Sequence, residues 1–258
     1  MYYLALFFFG IICGSFANVC IYRLPKNKSI VTGRSFCPKC KKKIIWYDNI
    51  PLLSFILLKS KCIFCKKTIN SQYFIVELIT AISFVSIYYF FGLTLAALLL
   101  SILSVFFIII FFIDLKHFII PNELTFPLMI IGFFKSFDPN LNQTIFPNYI
   151  NSLIGGVFGY LIIWLIIFFY KKVRKKDGMG LGDAKLLAVV GFWFGWFSIP
   201  FTIFMSSVVA LIFVLPSLIN KSRKMSSQIP FGPYIIIAAI FYVSFSNQIK
   251  NFLLLFFL

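Results

Sequence analysis

Residues 186–220 carry no Asp, Glu, Lys or Arg, a run of 35 uncharged positions. Hydrocarbon about 30 Å thick is crossed by roughly 20 helical residues. The run is too long for one crossing, and a turn near Ser198-Ile199-Pro200 is expected to split it into two. Six further apolar segments lie near 2–22, 73–91, 93–113, 124–137, 150–170 and 229–247. The segment 124–137 is short and interrupted by Pro127. A chain of 258 residues that is 61% hydrophobic cannot hide that much apolar surface in a water-soluble core. The lipid bilayer is its solvent. Lipid demands that backbone groups be satisfied within the element, and the runs are far too long for barrel strands, so only helices fit. The predicted fold class is all-α: a polytopic membrane helix bundle of about eight transmembrane helices. No fixed-period repeat and no low-complexity linker stand out.

The formal charge of +17 would suggest nucleic acid in a soluble protein. Here the charge sits in a few short loops, so no nucleic-acid partner is expected. The loop 23–72 alone holds Arg23, Lys26, Lys28, Arg34, Lys39, Lys41, Lys42, Lys43, Lys59, Lys61, Lys66 and Lys67, opposed only by Asp48. Two more clusters are Lys171-Lys172-Val173-Arg174-Lys175-Lys176 and the trio Lys221, Arg223 and Lys224. Eight crossings put all three on one side, which the positive-inside rule makes the cytoplasm. The N-terminus and the nearly charge-free loop 138–148 then lie outside. No basic stretch precedes the first apolar run, so a cleaved signal peptide is not expected. The expected location is a multi-pass position in the cell inner membrane.

The cytoplasmic loop after the first helix contains two CxxC pairs, Cys37-Pro38-Lys39-Cys40 and Cys62-Ile63-Phe64-Cys65, with 21 residues between them. Four thiolates in paired knuckles suit tetrahedral zinc. A reducing compartment disfavours a disulfide. The alternative is a redox or unliganded loop. With four sulfurs in place, no position would remain for a catalytic water, so the zinc would be structural. Cys13 and Cys20 fall in the first helix and read as apolar packing residues.

Only seven acidic residues occur: Asp48, Glu77, Asp114, Glu123, Asp138, Asp177 and Asp183. Asp114 closes one uncharged run and Asp183 opens another, and the eight-helix topology puts both at cytoplasmic helix ends. A carboxylate near the bilayer centre costs about 2.5–3.5 kcal/mol and less near the interface, so such groups face protein or a wet cavity. Two carboxylates brought close share a proton; one then serves as base toward a water while the other protonates a carbonyl. Position alone allows a second account. Asp183 can sit at a helix N-cap or first turn, and Lys116 and Lys185 can serve as ion-pair partners. Gly178, Gly180 and Gly182 likewise allow two roles: close helix packing, or room for an extended substrate backbone beside Asp183.

Taken together, these residues resemble the type IV prepilin leader peptidases, membrane aspartic proteases with a GxGD motif. The resemblance covers nearly the whole chain. It rests on Gly14-Ser15-Phe16-Ala17-Asn18-Val19 leading to Arg23-Leu24-Pro25, and on the CxxC pairs flanking Trp46-Tyr47-Asp48-Asn49-Ile50-Pro51. It continues through Asp114 with Ile120-Pro121 and Leu124-Thr125, and through Gly178-Met179-Gly180-Leu181-Gly182-Asp183-Ala184-Lys185-Leu186. It ends at Pro230-Phe231-Gly232-Pro233-Tyr234. It implies that Asp114 and Asp183 are the catalytic pair. It implies prepilin or pseudopilin substrates, with a short basic leader and an apolar helix, cut after a Gly at the cytoplasmic face. Many members also N-methylate the new terminus with S-adenosylmethionine, an activity linked to the N-terminal third. The expected organisation is thus 1–92 for methyl transfer and 93–258 for the peptidase core. Glu77 is then a candidate near the substrate's new amine, or an internal partner of a loop Lys. Gln72, Phe74 and Asn122 stand where the family commonly has Arg, Pro and Asp. These changes bear on methylation and leave the aspartate pair intact.

Two rival functions use the same residues differently. A transporter would move protons or cations through intramembrane acids, but the acids lie at the edge and no internal repeat is evident. A zinc-organised assembly factor of a pilus or secretion machine would need the cysteines and neither aspartate.

Overall fold

The computed structural model describes residues 1–32, 35–37, 39–45, 50–141, 145–175, 180–219, 229–246 and 248. Arg34, Pro38, Trp46, Tyr47, Asp48, Asn49, Lys176, Asp177, Gly178, Met179, Lys221, Arg223 and Lys224 lie outside the described residues. The described residues form helices and connecting turns, with two isolated bridges in the cysteine loop and no strand. The helices are α1 (Tyr2–Arg23), α2 (Leu53–Leu57), α3 (Gln72–Phe91), α4 (Leu95–His117), α5 (Asn122–Phe134), α6 (Tyr149–Arg174), α7 (Leu181–Phe194), α8 (Ser198–Ile219) and α9 (Gly232–Ser244).

Each of the eight expected apolar segments carries a helix. Five of them, α1, α3, α4, α6 and α8, are long and apolar enough to cross a membrane. Helices α5, α7 and α9 have 13, 14 and 13 residues. At 1.5 Å per residue they reach roughly 20 Å, short of the hydrocarbon thickness of about 30 Å.

The division of the run 186–220 differs from expectation. Helix α7 ends at Phe194, and Gly195 makes the turn with φ +82°. Pro200 lies in the first turn of α8, where the N–H it lacks would have no helical partner. The break therefore falls three residues before Ser198-Ile199-Pro200, at the glycine that accepts a left-handed backbone.

The chain divides into two compact units, Met1–Ile109 and Ile110–Leu258. The expected division at 92/93 falls in the turn between α3 and α4.

In the first unit α1 packs on α3. A Cβ on Gly14 would lie 2.7 Å from the Cα of Glu77, so the two backbones approach as closely as small residues permit. Asn18 Nδ2 donates to the Tyr73 carbonyl at 2.9 Å one turn further along.

In the second unit α7 is the central helix. Ten of its fourteen residues are buried, including Leu186, Leu187, Val189, Val190 and Trp193. A helix that is apolar on every side belongs inside a bundle. Its last carbonyls need partners, because a helix end leaves them outside the ladder. Lys135 Nζ donates to Trp193 O at 2.9 Å, Ser152 Oγ to Phe192 O at 2.7 Å, and Gly195 N to Gly191 O at 2.8 Å. The Lys135 ammonium also lies 4.0 Å from the Phe146 ring centre. Helix α6 reaches α7 through glycine: a Cβ on Gly155 would fall 2.6 Å from Gly191 O.

Gly191→Ala would drive its new methyl into the Gly155 carbonyl. The expected loss is about 1–3 kcal/mol, as for other overpacked interiors. A lower melting temperature of the detergent-purified protein checks this; an unchanged one contradicts the packing.

Candidate active site

The turn after α4 builds the site. Phe118 ends α4 in the left-handed region, φ +56°, an uncommon conformation for a bulky side chain that costs about 1–3 kcal/mol. The turn brings Ile120 against the first turns of two other helices. A Cβ on Gly182 would lie 3.0 Å from Ile120 Cβ, and a Cβ on Gly232 would lie 3.1 Å from Ile120 Cδ1. Glycine at both places lets α7 and α9 start against the same isoleucine.

Two carboxylates converge here from chain positions far apart. Asp114, in the last turn of α4, is 4% exposed, and Asp183, in the first turn of α7, is 8% exposed. They are close enough for the charge of Asp114 to act on Asp183. The backbone N–H of Gly232 donates to Asp114 Oδ2 at 3.0 Å. Asp183 does occupy a helix first turn, as the alternative account allowed. Lys185, however, donates to Asn122 Oδ1 at 2.7 Å. That bond ties the first turns of α5 and α7 together, and it employs the residue that departs from the family pattern.

The motif glycines divide between the two roles. Gly182 is filled against by Ile120 and serves packing. Among the described residues, a Cβ on Gly180 would meet only Asp183 Oδ2 at 3.7 Å and Gly182 N at 3.8 Å. Gly180 thus leaves open space, among the described residues, beside the Asp183 carboxylate.

The first unit holds the other predicted residues. The Sγ atoms of Cys37, Cys40, Cys62 and Cys65 all lie within 4.8 Å of one another. Tetrahedral zinc with sulfur at about 2.3 Å separates its ligands by roughly 3.8 Å, and Cys37 Sγ and Cys65 Sγ are 4.0 Å apart. The cluster fits a four-sulfur metal site. Two knuckles with one geometry build it. Lys41 N donates to Cys37 O and Lys66 N to Cys62 O, both at 2.8 Å. Cys37 N donates to Lys42 O and Cys62 N to Lys67 O, both at 3.0 Å. Lys41 and Lys66 both take positive φ. Burial works to raise the Cys37 thiol, but the N–H groups of Cys40 and Lys39 and the thiols of Cys40 and Cys62 outweigh it and bring its pKa to about 7. The Lys42 N–H works to lower Cys40, but burial and the neighbouring thiols raise it to about 11. One thiolate therefore forms near neutral pH beside a neighbour that keeps its proton. Metal binding would displace the remaining protons, so affinity falls on acidification.

Glu77 is 7% exposed, and its carboxylate accepts from Leu52 N at 2.8 Å and from the Ser15 hydroxyl. These neutral donors stand where a loop lysine was the alternative expectation. Gly232 and Ile120 stand within the motifs, but their neighbours in the chain do not reveal their part in the site. The one available signal was a Gly beside a Pro at a helix start.

The fold and the two sites define a multi-pass membrane protein with a buried carboxylate pair and a four-cysteine metal-type cluster. The bacterial peptidase A24 N-terminal domain matches residues 8–91, and the type IV leader peptidase family matches residues 101–215. A prepilin leader peptidase/N-methyltransferase of Pseudomonas aeruginosa is 34% identical over 94% of this chain and 90% of its own length. One of Vibrio cholerae is 37% identical over 92% of this chain and 94% of its own. One of Xanthomonas campestris is 36% identical over 89% and 86%. No solved structure matches the chain. The chain belongs to the type IV leader peptidase family.

The cysteine geometry generates a direct expectation. Purified protein should carry about one metal ion per chain by elemental analysis. Cys37→Ser combined with Cys40→Ser should remove most of it, and wild-type protein free of metal would contradict the site.

Proposed function

We propose that this chain is a membrane aspartic endopeptidase that removes the short basic leader from type IV prepilin-like proteins and N-methylates the residue so exposed. One observation carries it: two buried carboxylates within electrostatic reach, in a chain 34% identical over 94% of its length to a prepilin leader peptidase/N-methyltransferase. The transporter and the non-catalytic assembly factor are not what the relatives favour.

Asp114 is assigned as base and Asp183 as acid. The Gly232 N–H donates to Asp114 Oδ2, a bond that favours the ionised form of Asp114, and the shared proton is assigned to Asp183. Asp114 takes a proton from a water as its oxygen attacks the scissile carbonyl. Asp183 gives its proton to the carbonyl oxygen. Asp114 then protonates the leaving nitrogen while Asp183 recovers a proton from one hydroxyl, and the C–N bond breaks. One water is consumed and both carboxyl groups return to their starting states. Gly180 and Gly182 are the substrate-proximal positions, Gly180 as open space for an extended backbone and Gly182 through its hold on Ile120.

Residues 93–258 are assigned to cleavage and residues 1–92 to methyl transfer, with Glu77 near the new amine. S-adenosylmethionine, when bound, supplies the methyl group. Zinc is the ion proposed for Cys37, Cys40, Cys62 and Cys65. With four sulfurs around it, it has no open position for a water, and it holds the two knuckles in register. Eight helices are proposed to traverse the inner membrane, with the N-terminus outside and the carboxylate pair at the cytoplasmic face.

Asp114→Asn and Asp183→Asn should each abolish leader removal from a prepilin-like substrate while the protein stays folded and membrane-bound; normal cleavage by either variant refutes the assignment. Gly232→Ala, whose methyl would come 2.7 Å from Asp114 Oδ2, should slow cleavage roughly 10- to 100-fold, the scale set by a displacement of about 1 Å.

A further inference from the structure

A cavity lies in the first unit between the cytoplasm-facing end of α1, both cysteine knuckles, α2 and the start of α3. Its volume is about 170 Å³. At about 10–15 Å³ per water on this measure it takes on the order of a dozen waters, whose liquid volume near 30 Å³ each falls within the roughly 300–1,000 Å³ of small-molecule pockets.

Its walls have an unusual chemistry. Six aromatic rings line it: Tyr22, Phe36, Phe55, Phe64, Tyr73 and Phe74. Tyr22 and Phe36 meet edge-on with centroids 6.0 Å apart, and Phe55 and Phe74 are 5.3 Å apart. Phe74, a departure from the family pattern, thus adds a ring to the wall. Glu77 is the one acid among the lining residues, and its partners among the described residues are neutral. A buried carboxylate without a cation is costly. Arg23, the lining cation, directs its guanidinium to the carbonyls of Ser29 and Thr32 at 3.0 and 2.7 Å. The cavity therefore suits a planar ring system that stacks on aromatics and carries a positive centre toward Glu77.

We infer that this cavity is the S-adenosylmethionine site, with the aromatic walls taking the adenine and Glu77 facing the sulfonium. The inference rests on the methyl-transfer activity proposed above. It makes the metal cluster an architectural part of the site: Cys37 and Cys62 belong both to the cavity wall and to the sulfur cluster.

Equilibrium dialysis of the intact detergent-purified protein with labelled S-adenosylmethionine and, separately, S-adenosylhomocysteine tests it. The second compound has a neutral thioether in place of the sulfonium. Glu77→Gln should weaken S-adenosylmethionine binding about tenfold or more and S-adenosylhomocysteine binding much less. Leu58→Trp, which fills the cavity from the residue just after α2, should weaken both. Ultraviolet crosslinking of the bound adenine should label peptides containing Tyr22, Phe36 or Tyr73. Wild-type protein that binds the donor while both variants bind it equally well overturns this site alone. Wild-type protein that removes leaders and binds no donor overturns the methyl-transfer activity along with it.

Discussion

Lipid cannot solvate a carboxylate, and the second unit is arranged around that constraint. Asp114 and Asp183 are both buried in protein. Asp114 hangs from the last turn of α4, and Asp183 from the first turn of a helix with ten of its fourteen residues buried. That burial depends on glycine where α6 meets α7, and on Lys135 and Ser152, which satisfy carbonyls at the far end of α7. With that end fixed, the near end presents Asp183 at a defined place. Ile120 then sets the distance between the starts of α7 and α9, and α9 supplies the N–H that holds Asp114. Packing, backbone hydrogen bonding and acid–base chemistry are thus one arrangement in this unit.

The first unit solves a different problem. A loop rich in lysine has little apolar material from which to build a core. Two knuckles of identical hydrogen-bond pattern bring four sulfurs together, and a metal bound there would replace the missing core. The same knuckles line a cavity that Glu77 also lines, at the close approach of Gly14 to α3. Order in the loop and shape in the cavity are therefore coupled.

Much of this was legible in the sequence. Apolar runs with few or no charges located every apolar helix except the short α2, because exclusion of charge is the strongest signal lipid imposes. The acids stood out because so few exist, and the cysteines because their spacing matches a knuckle. What stayed hidden depends on contacts between distant segments. Nothing near Gly232 in the chain indicates that its N–H reaches Asp114, 118 residues away. Gly182 and Gly180 look equivalent in the motif, and only the position of Ile120 separates packing from open space. Pro200 looked like the turn and proved to be a helix start, since a missing N–H is harmless there and Gly195 could take the positive φ. The kinship of the two knuckles is carried by backbone hydrogen bonds, which side-chain identities reveal only at the cysteines and lysines.

The central claim is that one proton and one water are shared by Asp114 and Asp183. The pH dependence of leader removal by the wild-type protein, measured on a prepilin-like peptide in detergent micelles, tests it most directly. A shared-proton pair predicts a rate with a single maximum, falling in acid as the base is neutralised and in alkali as the acid loses its proton. A rate that climbs steadily with hydroxide, or that does not change with pH, would contradict it.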